Sequence, residues 1–175
     1  MFFDEFGFSF QETLGRTWAP RGQRPVLRRV TRDRRALSTA VGLTLAGQIY
    51  KRHFDGSVKS VGVIATLQHL HRYLPAGFIL IWDSARIHTS KATEAYLAAH
   101  PAIVVEPLPP YAPDLNPEEY CHGNVKRRLA NVTPRHKDQM RTLLNQGFAR
   151  LRHRHDLLLS FFHHAGLVVK QLWLE

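Results

Sequence analysis

Residues 78–119 constrain this chain more than any other segment. They read FILIW, then DSARIH, a helix-like stretch, AIVVEPL, and finally the loop and helix start PPYAPDLNPEE. FILIW is a continuous apolar run of strand length, the pattern of a strand covered on both faces. The stretch from about Lys91 to His100 reads as a short helix stopped by Pro101, and AIVVEPL returns to strand character. A strand, a helix and a strand in that order predict a parallel, right-handed unit. The carboxyl ends of such strands are where an α/β sheet gathers residues from distant parts of its sequence. Asp83 stands immediately after FILIW, and Glu119 opens the next helix with 35 residues between the two acids.

The sequence before this unit reads as β. FFDEFGFSF alternates, TWAPRGQRP is turn-like through Pro20, Gly22 and Pro25, and ALSTAVGLTLAGQIYKRHF is rich in β-branched and apolar residues. These segments predict a meander of three antiparallel strands. From Ser57 the period changes: Val58, Val61, Ile64, Leu67, Leu70 and Leu74 recur at steps of three or four, which predicts an amphipathic helix ended by Pro75 and Gly77. After the Pro-rich loop, helices are expected near 117–130, 136–152 and 155–165. The fold class is therefore α/β: a mixed five-stranded sheet, three antiparallel strands plus two parallel ones, flanked by helices. At 175 residues the chain fits one domain, 1–175, without internal repeats.

Three acids stand out. Asp4 closes the short apolar run MFFDE at or near a strand end, Asp83 follows FILIW, and Glu119 begins a helix. A carboxylate directly after FILIW is expected to be buried, and so costly unless it is paired, metal-bound or capping. Glu119 has a second explanation: Asn116-Pro117-Glu118-Glu119 places an N-cap residue, a proline at the first helical position and an acid at the third. If the three acids meet, their oxygens suit hard divalent cations such as Mg²⁺ or Mn²⁺, which share such ligands with phosphates. Paired ions of that kind support in-line displacement without a nucleophilic side chain.

Charge points the same way. The chain has 24 Lys and Arg against 14 Asp and Glu, a formal net charge of +10, which favours polyanionic partners and nucleic acid above all. The basic residues fall in blocks, RRVTRDRR at 28–35, KRR at 126–128 and RLRHRH at 150–155, that read as solvated edges able to line a groove for a phosphate backbone. The lone Cys121 excludes an internal disulfide. With no leader and no membrane-spanning run, the expectation is a soluble cytoplasmic protein. The pairs His69 and His71, His153 and His155, and His163 and His164 lack cysteine partners or a metal-ligand grouping, so zinc is not expected.

The motifs DEFGF, TWAPRGQRP, WDSARIH and LPPYAPDLNPEE, in that order and spacing, closely resemble the catalytic domain of the Tc/mariner-like branch of bacterial insertion-sequence transposases, within the DDE superfamily endonucleases. The resemblance covers nearly the whole chain. It implies an RNase H-like fold and an acidic triad holding two Mg²⁺ (or Mn²⁺) ions, with the family's acids falling on Asp4, Asp83 and Glu119 rather than on Glu118. It further implies cleavage of DNA at transposon ends, strand transfer to target DNA, and homo-oligomers assembled on DNA near the bacterial nucleoid.

The chain departs from the pattern at Ser84, where Asn is common, and at Tyr120, where Trp is common. Relatives also carry helix-turn-helix modules before the first Asp, whereas three residues precede Asp4 here. The expectation is thus a catalytic domain alone, with the DNA-reading part absent or supplied by an upstream frame or a separate subunit. The alternative is an inactive remnant that only binds DNA or a partner. Contacts to DNA are expected from Trp18 and Arg21 in the TWAPRGQ loop, from Arg86 and His88, and from Lys126, Arg127 and Arg128. For Trp18 packing between strands is the competing role, and for His88 it is ordering of the site or an ordinary surface position.

Overall fold

The computed structural model describes residues 1–10, 14–28 and 37–170. Its strands are β1 (Phe2–Phe8), β2 (Leu37–Leu43), β3 (Ile49–Asp55), β4 (Phe78–Trp82) and β5 (Ile103–Pro107), and its α-helices are α1 (Ser60–Tyr73), α2 (Lys91–Ala98), α3 (Pro117–Arg128), α4 (Lys137–Arg152) and α5 (His155–His164). The strands form one sheet in the order β3-β2-β1-β4-β5. β1, β2 and β3 pair antiparallel, while β4 pairs parallel with both β1 and β5. The meander and the parallel strand–helix–strand unit are both present, and β1 joins them.

That central position follows from what β1 can bury. Successive side chains of a strand point to opposite faces. Phe2, Phe6 and Phe8 pack with Val125 of α3, Leu144 and Phe148 of α4 and Phe162 of α5, whereas Phe3 turns to Val63, Leu67 and Leu70 of α1. Both faces are apolar, so β1 is stable only as an interior strand between two helical layers. Each of these fully covered side chains contributes roughly 1.5–3 kcal/mol of burial free energy. β2 is buried along its whole length for the same reason.

Two local expectations need correction. FILIW is not covered on both faces: Leu80 and Trp82 are buried under the α1 layer, but Ile79 is 54% exposed and its register partner Val104 on β5 is 49% exposed. The physical reason is that α3 and α4 pack over β1, β2 and β3 and leave the β4–β5 end of that face open. The block RRVTRDRR lies outside the described residues apart from Arg28, which is exposed. No helix among the described residues is long and apolar enough to cross a membrane.

Candidate functional site

The sheet register brings the first two acids together. Phe2 pairs with Ile81 in the parallel β1–β4 ladder, so two residues further along Asp4 in β1 comes level with Asp83, just past the end of β4. Asp4 is thus the third residue of a seven-residue strand and not its terminus. β4 stops at Trp82, one residue before Asp83, so the Asp83 side chain is 60% exposed rather than buried as FILIW suggested. The chain turns as soon as the apolar run ends, with the backbone N–H of Ala85 donating to Asp83 Oδ1 at 3.0 Å.

Glu119 arrives by helix capping. The Asn116 side chain accepts from the Glu118 backbone N–H at 3.1 Å, and Pro117 occupies the first turn, as their order in the sequence predicts. The same Asn116 donates through Nδ2 to Asp4 Oδ2 at 3.4 Å, tying the start of α3 to β1. Asp4, Asp83, Asn116 and Glu119 line one cavity of about 440 Å³, roofed by the loop from Leu108 to Pro113. Fully exposed Tyr111 in that loop adopts a left-handed backbone at φ 58°.

Within the cavity the acids are not equivalent. Ligand atoms of Asp4, Glu119 and His122 lie within 4.8 Å of one another, a grouping able to hold a metal ion. Asp83 lines the same cavity outside that group, its Oδ1 lying 2.8 Å from His88 Nδ1. Asp4 is pushed up to about 7, first by burial and then by the negative charge of Glu119, against the pull of the His122 charge and the Glu5 N–H. Glu119 is held below its ordinary value, chiefly by its contact with His122, whose Nε2 lies 2.8 Å from Glu119 Oε2.

His122 therefore supplies charge to the cluster. Its Nδ1 lies 2.8 Å from Glu118 Oε2. Burial alone would lower its pKa, but the two glutamates more than offset that and push it up to about 9. Complete burial pushes Glu118 up to about 8 against the pull of its hydrogen bond to His122 and of the His122 charge. A histidine ligand must offer a neutral nitrogen lone pair. Here both His122 ring nitrogens face carboxyl oxygens, so His122 serves as an internal counter-charge, and the cavity is lined by the carboxylate oxygens of Asp4, Asp83 and Glu119.

The sequence alone singles out neither His122 nor Glu5, which lies behind His88, and it passes over Glu118 in favour of Glu119. The signal for His122 was available, because Glu118 and Glu119 stand four and three residues before it and so share its helix face. His88 is corrected in the other direction. It is 3% exposed, stacked on Trp82 at 4.1 Å with an interplanar angle of 10°, and its Nε2 lies 3.0 Å from Glu5 Oε2, so it is neither a surface histidine nor placed to touch a phosphate. Burial would lower its pKa, but Glu5 and then Asp83 raise it overall.

The remaining candidates for DNA contact are placed as follows. Trp18 is 99% exposed and packs between no strands, and Arg21, Arg86, Arg127 and Arg128 are exposed. Lys126 lies over the rings of Phe6 and Phe8 at 5.6 and 6.0 Å, and its charge helps hold Glu119 low.

Known proteins share this architecture. In the crystal structure of the Mos1 mariner paired-end complex with Mn the match has a TM-score of 0.69 and 19% identity, covering 94% of this chain and 53% of that one. The catalytic domain of Mos1 mariner transposase matches with a TM-score of 0.62 and 17% identity over 97% of this chain and 83% of that one. A chain of the simian T-cell lymphotropic virus intasome matches at 0.53 and 15% over 84% of this chain and 45% of that one. The fold is thus the RNase H-like one of transposase and integrase catalytic domains, and this chain spans about half the length of the Mos1 chain in the paired-end complex. No curated protein matches it in sequence. The DDE superfamily endonuclease family matches residues 1–142, a stretch that includes all three cavity acids, and this chain belongs to that family.

Proposed function

We propose that this chain is the catalytic domain of a mariner-type transposase, cutting DNA at transposon ends by hydrolysis and joining the freed 3′-hydroxyl to target DNA by transesterification. The observation that carries the reading is the convergence of Asp4, Asp83 and Glu119 on one cavity beyond the end of β4, in a chain of net charge +10. The donors fit Mg²⁺ or Mn²⁺: they are carboxylate oxygens, and burial and then the charge of Glu119 push Asp4 up to about 7, an opposition that a bound cation would relieve. Asp4, Asp83 and Glu119 would hold the metal. Two such ions, when bound, supply activation of the attacking water or hydroxyl and stabilisation of the leaving oxygen.

The chain's own residues orient and neutralise. Asp4 is fixed by the Glu5 backbone N–H at 2.7 Å and by Asn116, Asp83 by the Ala85 N–H and His88, and Glu119 by His122. Exposed Trp18, Arg21, Arg86, Arg127 and Arg128, with Lys126 beside the cavity, would meet the DNA backbone, positioning it without reading its sequence. Recognition of the ends, assembly as a homo-oligomer on DNA and capture of the target would draw on a helix-turn-helix region or partner. The paired-end and strand-transfer complexes of Mos1 support this reading.

The test is a Mn²⁺-dependent nicking assay of wild type and Glu119→Gln, beside binding isotherms on two unrelated duplexes over a salt series. Binding should weaken steeply with salt and be nearly blind to sequence, with nicking lost only in the variant. Binding without Glu119-dependent nicking would identify a remnant that no longer cuts.

A further inference from the structure

Asp83 differs from the other two acids in what holds it. Its side chain is 60% exposed just past a strand end, where a carboxylate is free to turn between staggered positions. Two restraints act on it, and both act on the same oxygen: the Ala85 N–H donates to Oδ1 at 3.0 Å, and His88 Nδ1 lies 2.8 Å from that oxygen and 3.0 Å from the Asp83 carbonyl oxygen. The second carboxylate oxygen is left for the cavity that Asp83 lines.

His88 is itself held from behind. It is clamped against Trp82, meets Phe3 edge-on at 6.3 Å, and places Nε2 at 3.0 and 3.2 Å from the two oxygens of Glu5, whose side chain is only 10% exposed. Burying a carboxylate and an imidazole beside an aromatic cluster is unfavourable relative to apolar side chains of similar size. Yet the hydrogen-bonding and ionic side-chain partners of this pair among the described residues are each other and Asp83. Packing alone gives no reason for both groups.

We propose that Glu5 and His88 are positioning residues: Glu5 orients the His88 ring, and His88 fixes the rotamer of Asp83 so that one oxygen faces the cation site. The inference rests on Asp83 holding metal, as proposed above. Successive residues of β1 then serve different acids, Asp4 entering the cavity from one face of the strand and Glu5 steadying Asp83 from the other.

The experiment is Mn²⁺ titration of the whole chain, with free ion followed by electron paramagnetic resonance and folding checked by thermal melting. Asp83→Asn defines the binding that depends on Asp83. At that site His88→Ala and Glu5→Ala should each weaken affinity about tenfold, as removal of outer-sphere partners does, and the double variant no more than His88→Ala alone. Glu5→Gln keeps an oxygen acceptor for Nε2 and should stay within about threefold of wild type. His88→Asn places its amide where Nδ1 was and should keep most of the affinity, whereas His88→Gln reaches toward Glu5 instead and should lose it. These two polar replacements also carry the test if the alanine variants unfold. A purely structural role would not rank the variants by which nitrogen they replace, so equal behaviour of His88→Asn and His88→Gln overturns the proposal. So do alanine variants within twofold of wild type when Asp83→Asn has lost its site. Undiminished Mn²⁺ binding in Asp83→Asn would instead remove the assignment of Asp83 itself.

Discussion

Replacing Asp4 by Asn tests the electrostatics of the metal-free site. Asparagine keeps an oxygen to accept the Glu5 N–H, which lies 2.7 Å from Asp4 Oδ1, and removes the charge together with the long contact from Asn116 Nδ2, a loss that is the same at every pH. In the unfolded chain Asp4 loses its proton near 3.8, and in the folded chain near 7. Between those values the folded state holds a proton that the unfolded state has released, so wild-type stability falls as pH rises. A shift of about three units corresponds to about 4 kcal/mol in full, of which about 2.6 kcal/mol develops between pH 5 and pH 8. Water in the open cavity screens the charge and brings the expected swing to about 2 kcal/mol, or about 4–8 °C of melting temperature for a domain of this size. The assay is thermal unfolding of both proteins in chelator at pH 5 and pH 8. Asp4→Asn should gain those 4–8 °C on wild type between the two pH values, and Mg²⁺ at pH 8 should then restore wild type more than the variant. Parallel pH profiles in chelator would refute the account of Asp4 as a carboxylate strained by Glu119 and burial.

Other predictions follow from packing and charge. Gly77→Ala should lower stability by at least about 2 kcal/mol in thermal or urea unfolding, because Gly77 has φ 91° and an added Cβ would lie 2.1 Å from the Ala102 carbonyl oxygen. Phe148→Ala empties the centre of the α4–sheet interface, where Phe148 is fully buried, and should cost about 3–5 kcal/mol. Glu118→Gln should gain stability on wild type as pH rises from about 5 to about 8 and gain no more above that, because the folded state holds the Glu118 proton up to about 8 while the unfolded state releases it near 4.5; pH-dependent thermal unfolding of the two proteins checks this. Glu118→Ala, which strips His122 Nδ1 of its buried partner, should be about 2–3 kcal/mol less stable than Glu118→Gln.

Much of this architecture is legible in the residues because it rests on local rules. The change from alternation in FFDEFGFSF to steps of three and four after Ser57, the proline at 101 and the Asn116-Pro117 cap all act within a few residues of themselves, and the elements follow them. Burial and charge are not local. FILIW reads as covered on both faces, yet how far α3 and α4 extend across the sheet decides that Ile79 and Val104 stay exposed. Likewise His88 looks like a surface residue until Glu5 is placed behind it by a contact across 83 positions of sequence. Glu118 reads as the spare acid of an NPEE pair, and only the packing of α3 on β1 turns it into a buried partner for His122.

The site divides its support between two kinds of element. Asp4 lies in β1 and Asp83 one residue past the end of the neighbouring parallel β4, so strand pairing sets the spacing of their backbones, while the His88 contact sets the Asp83 side chain. Glu119 stands on the first turn of a helix tied to β1 at its start by Asn116 and steadied by His122 one turn further on. Its position relative to the other two acids depends on those side chains and on the loop from Leu108 to Pro113 that roofs the cavity. The sheet thus fixes the backbone spacing of two acids, and a cap, an imidazolium and a loop set the third. Weakening the Asn116 cap should therefore disturb Glu119 before it disturbs Asp83, while weakening the Glu5–His88 pair should do the reverse.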